Sequence, residues 1–282
     1  MTARFRPRVG GHARRTKRVR RASARLSALR AGAGLAMLLS AAAIYGVSAS
    51  SAFGFDPARL RVEGLHYTDQ AALTASLAIP TGTNLFSLST EAVATRVMQL
   101  TTVAGVELAV GLPDTLSVRV REREPILVWA IGDRRYLVDR GGVLFAEAPA
   151  GSPDSGLPTL IDRRAASVAL AVGAVLDPID LDAATRLGSI RPADVGSAAT
   201  SLGVAVTDGN GFVVGASPVG WTAVFGFYTK SLRTPALIPG QVRLLRSLLA
   251  DREAGVEQVI LASETSGTFI PRPSAASKSP RP

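Results

Sequence analysis

This sequence is poor in cysteine and histidine, the side chains on which thiol catalysis, His-activated nucleophiles and most transition-metal sites depend. The 282-residue chain has no cysteine and two histidines, His12 and His66. Histidine or thiolate ligands must cluster to hold a metal, so no metal site is predicted. A Ser-His-Asp triad would have to use His66, which lies in a predicted turn, and no nucleophile-elbow sequence accompanies it. We therefore interpret His66 as a surface or capping residue.

Two pairs of carboxylates have a spacing that general acid–base catalysis could use. Glu122 and Glu124 alternate with arginines where a predicted strand ends, which is typical of a charged strand terminus. Asp180 and Asp182 stand where the cap of a predicted helix belongs. Both neighbourhoods are typical of structural carboxylates, so the sequence predicts no catalytic residue and no enzymatic activity.

One glycine-rich stretch and two tryptophans are the remaining features that could bind a ligand. In Gly209-Asn-Gly-Phe-Val-Val-Gly215 the glycines precede strand-forming residues, whereas a phosphate site needs a helix N-terminus directly after them. This stretch therefore predicts a hairpin turn. Trp129 and Trp221 each lie in an apolar run and are interpreted as core residues. No cofactor and no small-molecule substrate is predicted.

The elements that position the rest of the chain begin with a stretch that carries no charge. Residues 31–55 contain no charged side chain, and the preceding leader, residues 1–30, contains eleven arginines and lysines. A helix of about 20 residues crosses the hydrocarbon core of a bilayer, and clustered positive charge marks the cytoplasmic side. We predict a single transmembrane helix over 31–55 in the cytoplasmic membrane, with the N-terminus inside and the later residues outside. Its anchoring residues are Leu35, Leu38, Leu39, Ile44 and Val47.

Two other interpretations of residues 31–55 stay open. A cleaved signal peptide also combines basic and apolar parts, and Val47-Ser-Ala-Ser-Ser-Ala52 resembles a small-residue cleavage site. Both parts are long for a signal peptide, however. A buried core helix would not need the preceding cations. The sequence favours a retained anchor.

The net charge of +10 belongs to the leader. The 21 arginines and lysines after residue 30 nearly balance the 22 acidic residues of the chain. The single aromatic residue among the leader's cations is Phe5, which gives little support to base stacking or nucleic-acid binding. Attraction to anionic lipid at the cytoplasmic surface suits the leader better. We expect membrane lipid as its partner and no nucleic acid.

Residues 56–124 have the pattern of a first exterior domain of the α+β class. Alternation of apolar and polar residues predicts three strands, and apolar residues at helical spacing predict two helices between the first strand and the second. Pro80 ends the first helix and Glu91 lies in the first turn of the second. The predicted order is strand, helix, helix, strand, strand. The strands contain Leu60–Val62, Val106–Val110 and Leu116–Val120.

Residues 125–270 predict a second domain rich in strands. Turns at Gly132-Asp133 and Asp208–Gly211 separate apolar runs and indicate hairpins. The best helical pattern, Gln241 to Glu253, leads into a strand from Val256 to Ala262. Residues 271–282 are dominated by proline and serine, a composition that predicts a disordered tail.

Short motifs in this order resemble the FtsQ/DivIB family of bacterial cell-division proteins, whose first exterior module is a POTRA domain. Leu60–Gly64 resembles the opening strand and turn of that module, and Gly82–Phe86 resembles its inter-helix loop. Leu112–Leu116 followed by Val118–Pro125 is similar to the family's domain boundary. Leu137–Phe145 is similar to its Val-Asp-x-x-Gly-x-Phe hairpin.

The resemblance implies a fold and a function. The fold is a single transmembrane helix followed by a POTRA-like β-α-α-β-β domain and a mixed, β-rich second domain. The implied function is that of a scaffold without enzymatic activity or cofactor, located at the division septum. Its partners would be divisome membrane proteins resembling FtsB and FtsL.

The resemblance also implies where the partner binds. In relatives the partner adds a strand at the C-terminal edge of the β domain, where backbone pairing supplies affinity. The last predicted strand is expected to be that edge. The POTRA-like module is expected to offer a second edge, at Leu60–Glu63 or Val106–Val110. The implied partner-binding residues are Val259, Ile260, Leu261, Ser263 and Phe269.

This chain departs from the family pattern at two places. Phe227 to Pro239 stands where the family passes quickly from a strand into its last helix. Val256 to Ser263 lacks the aspartate that the family usually carries there. Because of these two departures, the family pattern does not specify which residues of this chain form the C-terminal partner surface.

Two other functions are compatible with parts of the sequence. A POTRA protein of secretion or outer-membrane assembly normally carries repeated POTRA modules or a long membrane-embedded strand domain, neither of which is predicted here. An anchored exterior enzyme acting on the cell wall would need site chemistry that the sequence does not contain. The scaffold is the function that the sequence favours.

Overall fold

A computed structural model describes residues 31–46, 50–148 and 156–273. The predicted leader, the anchoring residue Val47 and residues 274–282 of the predicted tail lie outside the described residues.

Residues 31–46 form helix α1. The apolar side chains of Leu35, Leu38, Leu39 and Ile44 are each more than half exposed. Within the described ranges, no helix is long and apolar enough to cross a membrane.

The C-terminal end of the predicted membrane segment belongs to a folded region. Ser51–Phe53 form a short 3-10 helix, and Phe55 is buried. The N–H of Phe55 donates to the carbonyl of Thr83 at 2.8 Å, and the Phe53 ring packs edge-on against Phe86. The prediction of a helix through Phe55 was therefore wrong at this end, because aromatic packing and backbone pairing hold these residues.

The next residues form the predicted β-α-α-β-β module. The strands lie side by side in the order β1-β3-β2, so β1 and β2 are the edges of this sheet. Burial alternates along β3, where Leu116, Val118 and Val120 are buried while Arg119 and Arg121 are exposed. Its elements are β1 Leu60–Glu63, α2 Gln70–Leu77, α3 Thr90–Val97, β2 Val103–Gly111 and β3 Thr115–Glu122.

The chain divides into two compact units. The first contains the described residues up to 62 together with 78–91 and 108–118, and its buried apolar residues include Phe55 and Leu85. The second contains 63–77, 92–107 and the described residues from 119 onward. The second unit therefore includes α2 and the whole of a second sheet.

The second sheet has nine strands in the order β12-β11-β10-β9-β8-β7-β4-β5-β6. The pairs β4-β7, β7-β8 and β10-β11 are parallel and the other pairs are antiparallel. The strands are β4 Leu127–Ile131, β5 Arg134–Val138, β6 Leu144–Glu147, β7 Thr159–Asp162, β8 Ser201–Thr207, β9 Gly211–Ser217, β10 Thr222–Gly226, β11 Val256–Leu261 and β12 Gly267–Pro271.

Two helices make the crossovers that parallel strands require. Helix α4, Pro178–Gly188, lies between β7 and β8, and helix α5, Ile238–Leu249, lies between β10 and β11. Both helices contribute to one core cluster on the sheet, and Trp129 and Trp221 are fully buried in it. The interpretation of both tryptophans as core residues is confirmed.

The sequence did not predict β7 or β12. Strand β7 has four residues and ends in the buried carboxylate Asp162, which interrupts the apolar pattern that marks a strand. Strand β12 begins with Gly267 and ends with Pro271, two residue types that strand interiors avoid. Strand β7 forms because it pairs with β4 and β8, which are distant in sequence, and β12 forms by pairing with β11 across a short turn.

Gly64 offers a direct test of the turn after β1. It has φ +87°, and a Cβ at this position would meet the backbone of Val120. We expect Gly64→Ala to lower the free energy of unfolding by about 3 kcal/mol or more, because left-handed strain of about 1 kcal/mol adds to a clash. Urea denaturation of the full chain in detergent would measure this change.

Gly82 provides the matched control for Gly64. Its φ is +81°, but a Cβ there would have no heavy atom within 4 Å. We expect Gly82→Ala to cost about 1 kcal/mol. Equal losses for the two variants would show that the Val120 backbone does not restrict Gly64.

Candidate partner-binding edge

The second carboxylate pair is engaged in ion pairs. Asp180 accepts a hydrogen bond from the Arg164 guanidinium at 2.6 Å. Asp182 accepts one from Arg186, one helical turn away, at 2.7 Å. In the part of the chain that the structure describes, no group of three histidines or carboxylates is placed to hold a metal ion.

Glu122 organises the loop between β1 and α2. Its carboxylate accepts hydrogen bonds from the backbone N–H groups of His66, Tyr67 and Thr68, each at 2.7 Å. Burial opposes the ionisation of Glu122. The hydrogen bonds from the Thr68 side chain and the three N–H groups outweigh burial and hold the pKa of Glu122 below its ordinary value of 4.5. This carboxylate therefore acts as the cap of a loop.

Arg123 joins the charged end of β3 to the hairpin between β5 and β6. Its Nη1 donates to Asp139 at 2.6 Å, and its Nε donates to the carbonyl of Thr101 at 2.8 Å. The other Asp139 oxygen accepts the N–H groups of Gly141 and Val143, both at 2.9 Å. Asp139 thus closes its own hairpin and holds Arg123 with the same carboxylate.

One edge of the nine-stranded sheet is closed. The N–H of Leu144 in β6 donates to the carbonyl of Ala174 at 2.9 Å, and the carbonyl of Leu144 accepts the N–H of Gly173 at 2.7 Å. The Thr101 hydroxyl donates to the carbonyl of Phe145 at 3.0 Å. The N–H and carbonyl of Leu144 and the carbonyl of Phe145 therefore have partners within the chain beyond β5.

The opposite edge, at β12, is open. Among the described strands, β12 pairs with β11 on one side and with no strand on the other. Its residues are mostly exposed, and Phe269 is the one that is partly buried. An exposed edge of this kind presents unpaired N–H and C=O groups, to which an extended peptide can add as a further strand.

The structure corrects the predicted position of this edge. Val259, Ile260 and Leu261 lie on β11, which pairs with β10 and with β12. The expectation that the strand from Val256 to Ala262 is the sheet edge was wrong, because Gly267–Pro271 adds one more strand beyond it. The sequence signal that could have found β12 is the apolar pair Phe269-Ile270, which follows a turn of polar residues.

The predicted binding residues have different environments. Val259 and Leu261 are buried in the core, whereas Ile260 is 38% exposed on the opposite face. Ser263 lies in the turn between β11 and β12, where its N–H donates to the carbonyl of Ser266. Phe269 packs against the core, with the Arg252 guanidinium 5.6 Å from its ring centroid. Of the five predicted residues, Ile260 is thus the exposed one, and it lies next to strand β12.

Ile270 is a binding candidate that the sequence did not predict. It is 43% exposed and pairs with Gln258, while Ile260 pairs with Thr268. Because side chains alternate along strands, Ile260, Thr268 and Ile270 share one face. The strands β8, β9, β10 and β12 contain no charged residue, and β11 contains one, the exposed Glu257.

The first sheet offers further edges. The order β1-β3-β2 leaves both β1 and β2 at the margin of this sheet, as expected for the two alternative strands. An open groove of about 610 Å³ lies against its outer face, lined by Glu63, Gly105, Glu107, Arg119 and Arg121. Strand β2 is the longer of the two edges.

Comparison with known proteins defines the class of the chain. Residues 55–123 match a family profile described as "POTRA domain, FtsQ-type". This range contains β1, both helices of the first module, β2 and β3. The chain is therefore a POTRA-domain protein with a β-rich second domain.

Three relatives extend the comparison, each named cell division protein FtsQ. The protein from Mycobacteroides abscessus is 37% identical over 99 residues, which cover 35% of this chain and 31% of the relative. The protein from Streptomyces bingchenggensis is 37% identical over 103 residues, covering 33% and 39%. The protein from Zymomonas mobilis is 26% identical over 144 residues, covering 49% and 45%. The matches thus span about a third to a half of these relatives.

The profile match over residues 55–123 and the relatives named FtsQ support the assignment of this chain to the FtsQ/DivIB family. The resemblance carried by its short motifs is confirmed, and the names of the relatives support a role in cell division.

Glu122 gives a pH-dependent prediction. Its pKa is lowered in the folded state, so its contribution to stability is present above about pH 4.5 and is lost as the pH falls through the folded pKa. We expect Glu122→Gln to reduce the free energy of unfolding at pH 7 by about 1–2 kcal/mol, since a charged acceptor is lost from three N–H groups. Urea denaturation at several pH values would measure it.

The neighbouring carboxylate supplies the control. Glu124→Gln changes the same charge and should leave the stability at pH 7 nearly unchanged. The difference between Glu122→Gln and the native chain should shrink below pH 4.5. A difference that stays constant down to pH 3 would contradict the role of the ionised carboxylate.

Proposed function

We propose that this chain is a single-pass membrane scaffold of the bacterial cell-division complex. It binds other divisome membrane proteins through its exterior POTRA and β domains during septum formation. Its partners are proteins resembling FtsB and FtsL, and it works by holding them in place without catalysis. The FtsQ-type POTRA match and the relatives named cell division protein FtsQ support this proposal.

The observation that carries the binding mode is the difference between the two edges of the nine-stranded sheet. Backbone groups of β6 are paired within the chain, whereas β12 is open on its outer side among the described strands. A partner segment in extended conformation adds to β12, and its backbone hydrogen bonds supply affinity. The exposed side chains of Ile260 and Ile270 beside it supply selectivity.

The membrane position rests on the sequence and on α1. The apolar side chains of Leu35, Leu38, Leu39 and Ile44 are exposed in the described chain, where lipid would cover them. Eleven cations in residues 1–30 favour a cytoplasmic N-terminus. We therefore place the domains after the anchor outside the cytoplasmic membrane, concentrated at the division septum.

A double substitution tests the binding mode. We expect Ile260→Thr with Ile270→Thr to weaken binding of the FtsB-like protein of the same genome about tenfold, because two apolar contacts beside the added strand are lost. Threonine keeps the β-branched shape that strands favour. A titration of the full-length protein in detergent with the purified FtsB-like protein would measure the dissociation constant.

Val213→Thr is the matched control, because Val213 lies in β9 on the same face of the sheet as Ile260. This variant should bind as the native chain does. Equal binding by the native chain and the double variant would exclude the β12 edge as the docking site.

Cell imaging tests the proposed role itself. A fluorescent fusion of the full-length chain is expected to form a band at midcell in dividing cells. A uniform rim without such a band would contradict a divisome scaffold. Protease added to intact spheroplasts should cleave the chain after residue 56, and a mature N-terminus near Ser51 would show a cleaved leader instead of an anchor.

A further inference from the structure

The connection from β10 to α5 contains a loop that is closed by its own hydrogen bonds. The N–H of Thr229 donates to the carbonyl of Arg233 at 2.7 Å. The Thr229 hydroxyl accepts the N–H groups of Leu232 and Arg233 at 3.3 and 3.2 Å. This loop lies in the segment from Phe227 to Pro239 that departs from the family pattern. It fixes the backbone of Arg233 and leaves Leu232 94% exposed.

The guanidinium of Arg233 donates to three backbone carbonyls. Its Nη2 reaches the carbonyl of Phe225 at 2.5 Å and the carbonyl of Leu261 at 2.7 Å. Its Nη1 donates to the carbonyl of Ala262. Arg233 therefore ties the end of β10 to the end of β11 and to the first residue of the turn that leads into β12.

Gln241 of α5 contacts the same strand ends from the core side. Its Nε2 donates to the carbonyls of Phe225 and Leu261 at 3.3 and 3.2 Å. Its Oε1 accepts the Tyr228 hydroxyl at 2.8 Å, and Gln241 is fully buried. Burial raises the pKa of Tyr228, which keeps its hydroxyl protonated as a donor.

The position of these carbonyls explains why they need side-chain donors. The last paired residues of the parallel strands β10 and β11 are Val224 and Ile260, so the carbonyls of Phe225 and Leu261 lie beyond this ladder. Both residues are buried. A buried carbonyl without a donor costs about 1–3 kcal/mol, and the arginine and the glutamine remove this cost.

A second arginine, Arg272, fastens the C-terminal end of β12. The N–H of Arg272 donates to the carbonyl of Gly255 at 2.8 Å. Its Nη2 donates to the carbonyls of Val219 and Val256 at 2.9 and 3.3 Å. Since most side chains of β12 are exposed, core packing contributes little to its position. Arg272 instead fastens the C-terminal end of β12, and Arg233 holds Leu261 and Ala262, which precede the turn into β12.

We propose that Arg233 and Arg272 form a frame that keeps β12 ordered before any partner arrives. A strand that is already ordered loses less conformational entropy when another strand adds to it, and this raises affinity. Arg233 and Arg272 are thus positioning residues, which touch no partner and act through β12. The order of β12 stands on the contacts above, and its effect on binding rests on the proposed function.

Hydrogen exchange of the full-length protein in detergent, without partner, tests the frame directly. We expect Arg233→Ala and Arg272→Ala each to accelerate exchange of those amides of residues 267–270 that pair with β11 about tenfold, because local opening is easier once charged hydrogen bonds are lost. Amide exchange in β4, which lies far from β12 in the same sheet, should stay unchanged. This result would show that the variant is folded. Arg243→Ala, at an exposed arginine of α5, is the matched control. Unchanged exchange of the paired 267–270 amides in both frame variants would overturn the proposal.

Titration with the FtsB-like protein tests the consequence for binding. We expect Arg233→Ala to weaken binding about tenfold and Arg233→Lys to restore part of the loss, because lysine keeps one charged donor. Leu232→Ala should bind normally. If Leu232→Ala lost as much affinity as Arg233→Ala while exchange of β12 stayed normal in both, the loop would contact the partner directly and the frame would be wrong.

The outcomes separate this inference from the proposed function. If the Ile260 and Ile270 double variant binds normally while the frame variants still loosen β12, the β12 edge is not the partner site and the frame stands as a structural feature. If the double variant loses binding while Arg233→Ala leaves β12 exchange unchanged, the partner site stands and the frame fails.

Discussion

The pairing of backbone groups at the margins of the nine-stranded sheet is the constraint on which the rest of the structure depends. Buried N–H and C=O groups need partners. At β6 the segment 173–176 supplies them, and at the ends of β10 and β11 the side chains of Arg233 and Gln241 supply them. The open side of β12 is the margin that another protein can complete.

Charged side chains elsewhere in this chain likewise supply hydrogen-bond partners, mainly for backbone N–H groups. Glu122 accepts three loop N–H groups, and Asp139 accepts two N–H groups and the Arg123 guanidinium. The buried carboxylate of Asp162 accepts hydrogen bonds from Trp129, Ser167 and Arg164. Carboxylates that could have belonged to a catalytic site are instead the acceptors that close loops and strand ends.

The short motifs that carry the family resemblance coincide with these contacts. The motif around Glu122 and Arg123 and the hairpin motif at Asp139 are joined by one ion pair, between Arg123 and Asp139. Gly64, in another motif, lies where a side chain would meet the backbone of Val120. Each motif was recognisable because its backbone geometry allows few other residue types at these positions. The long stretches between the motifs have fewer such restrictions, and their resemblance is looser.

The sequence by itself determined the first module and most strands of the second domain, because alternation in β3 and helical spacing in α3 are local patterns. It also determined that Trp129 and Trp221 belong to the core. The tertiary structure alone decided where the sheet ends. Strand β12 contains a glycine and a proline and forms by pairing with β11, so the edge lies one strand beyond Val259–Leu261. The tertiary structure also placed Phe53 and Phe55 in a folded region. The sequence could not decide this, because apolar residues suit a bilayer and a protein core equally well and only their packing partners distinguish the two.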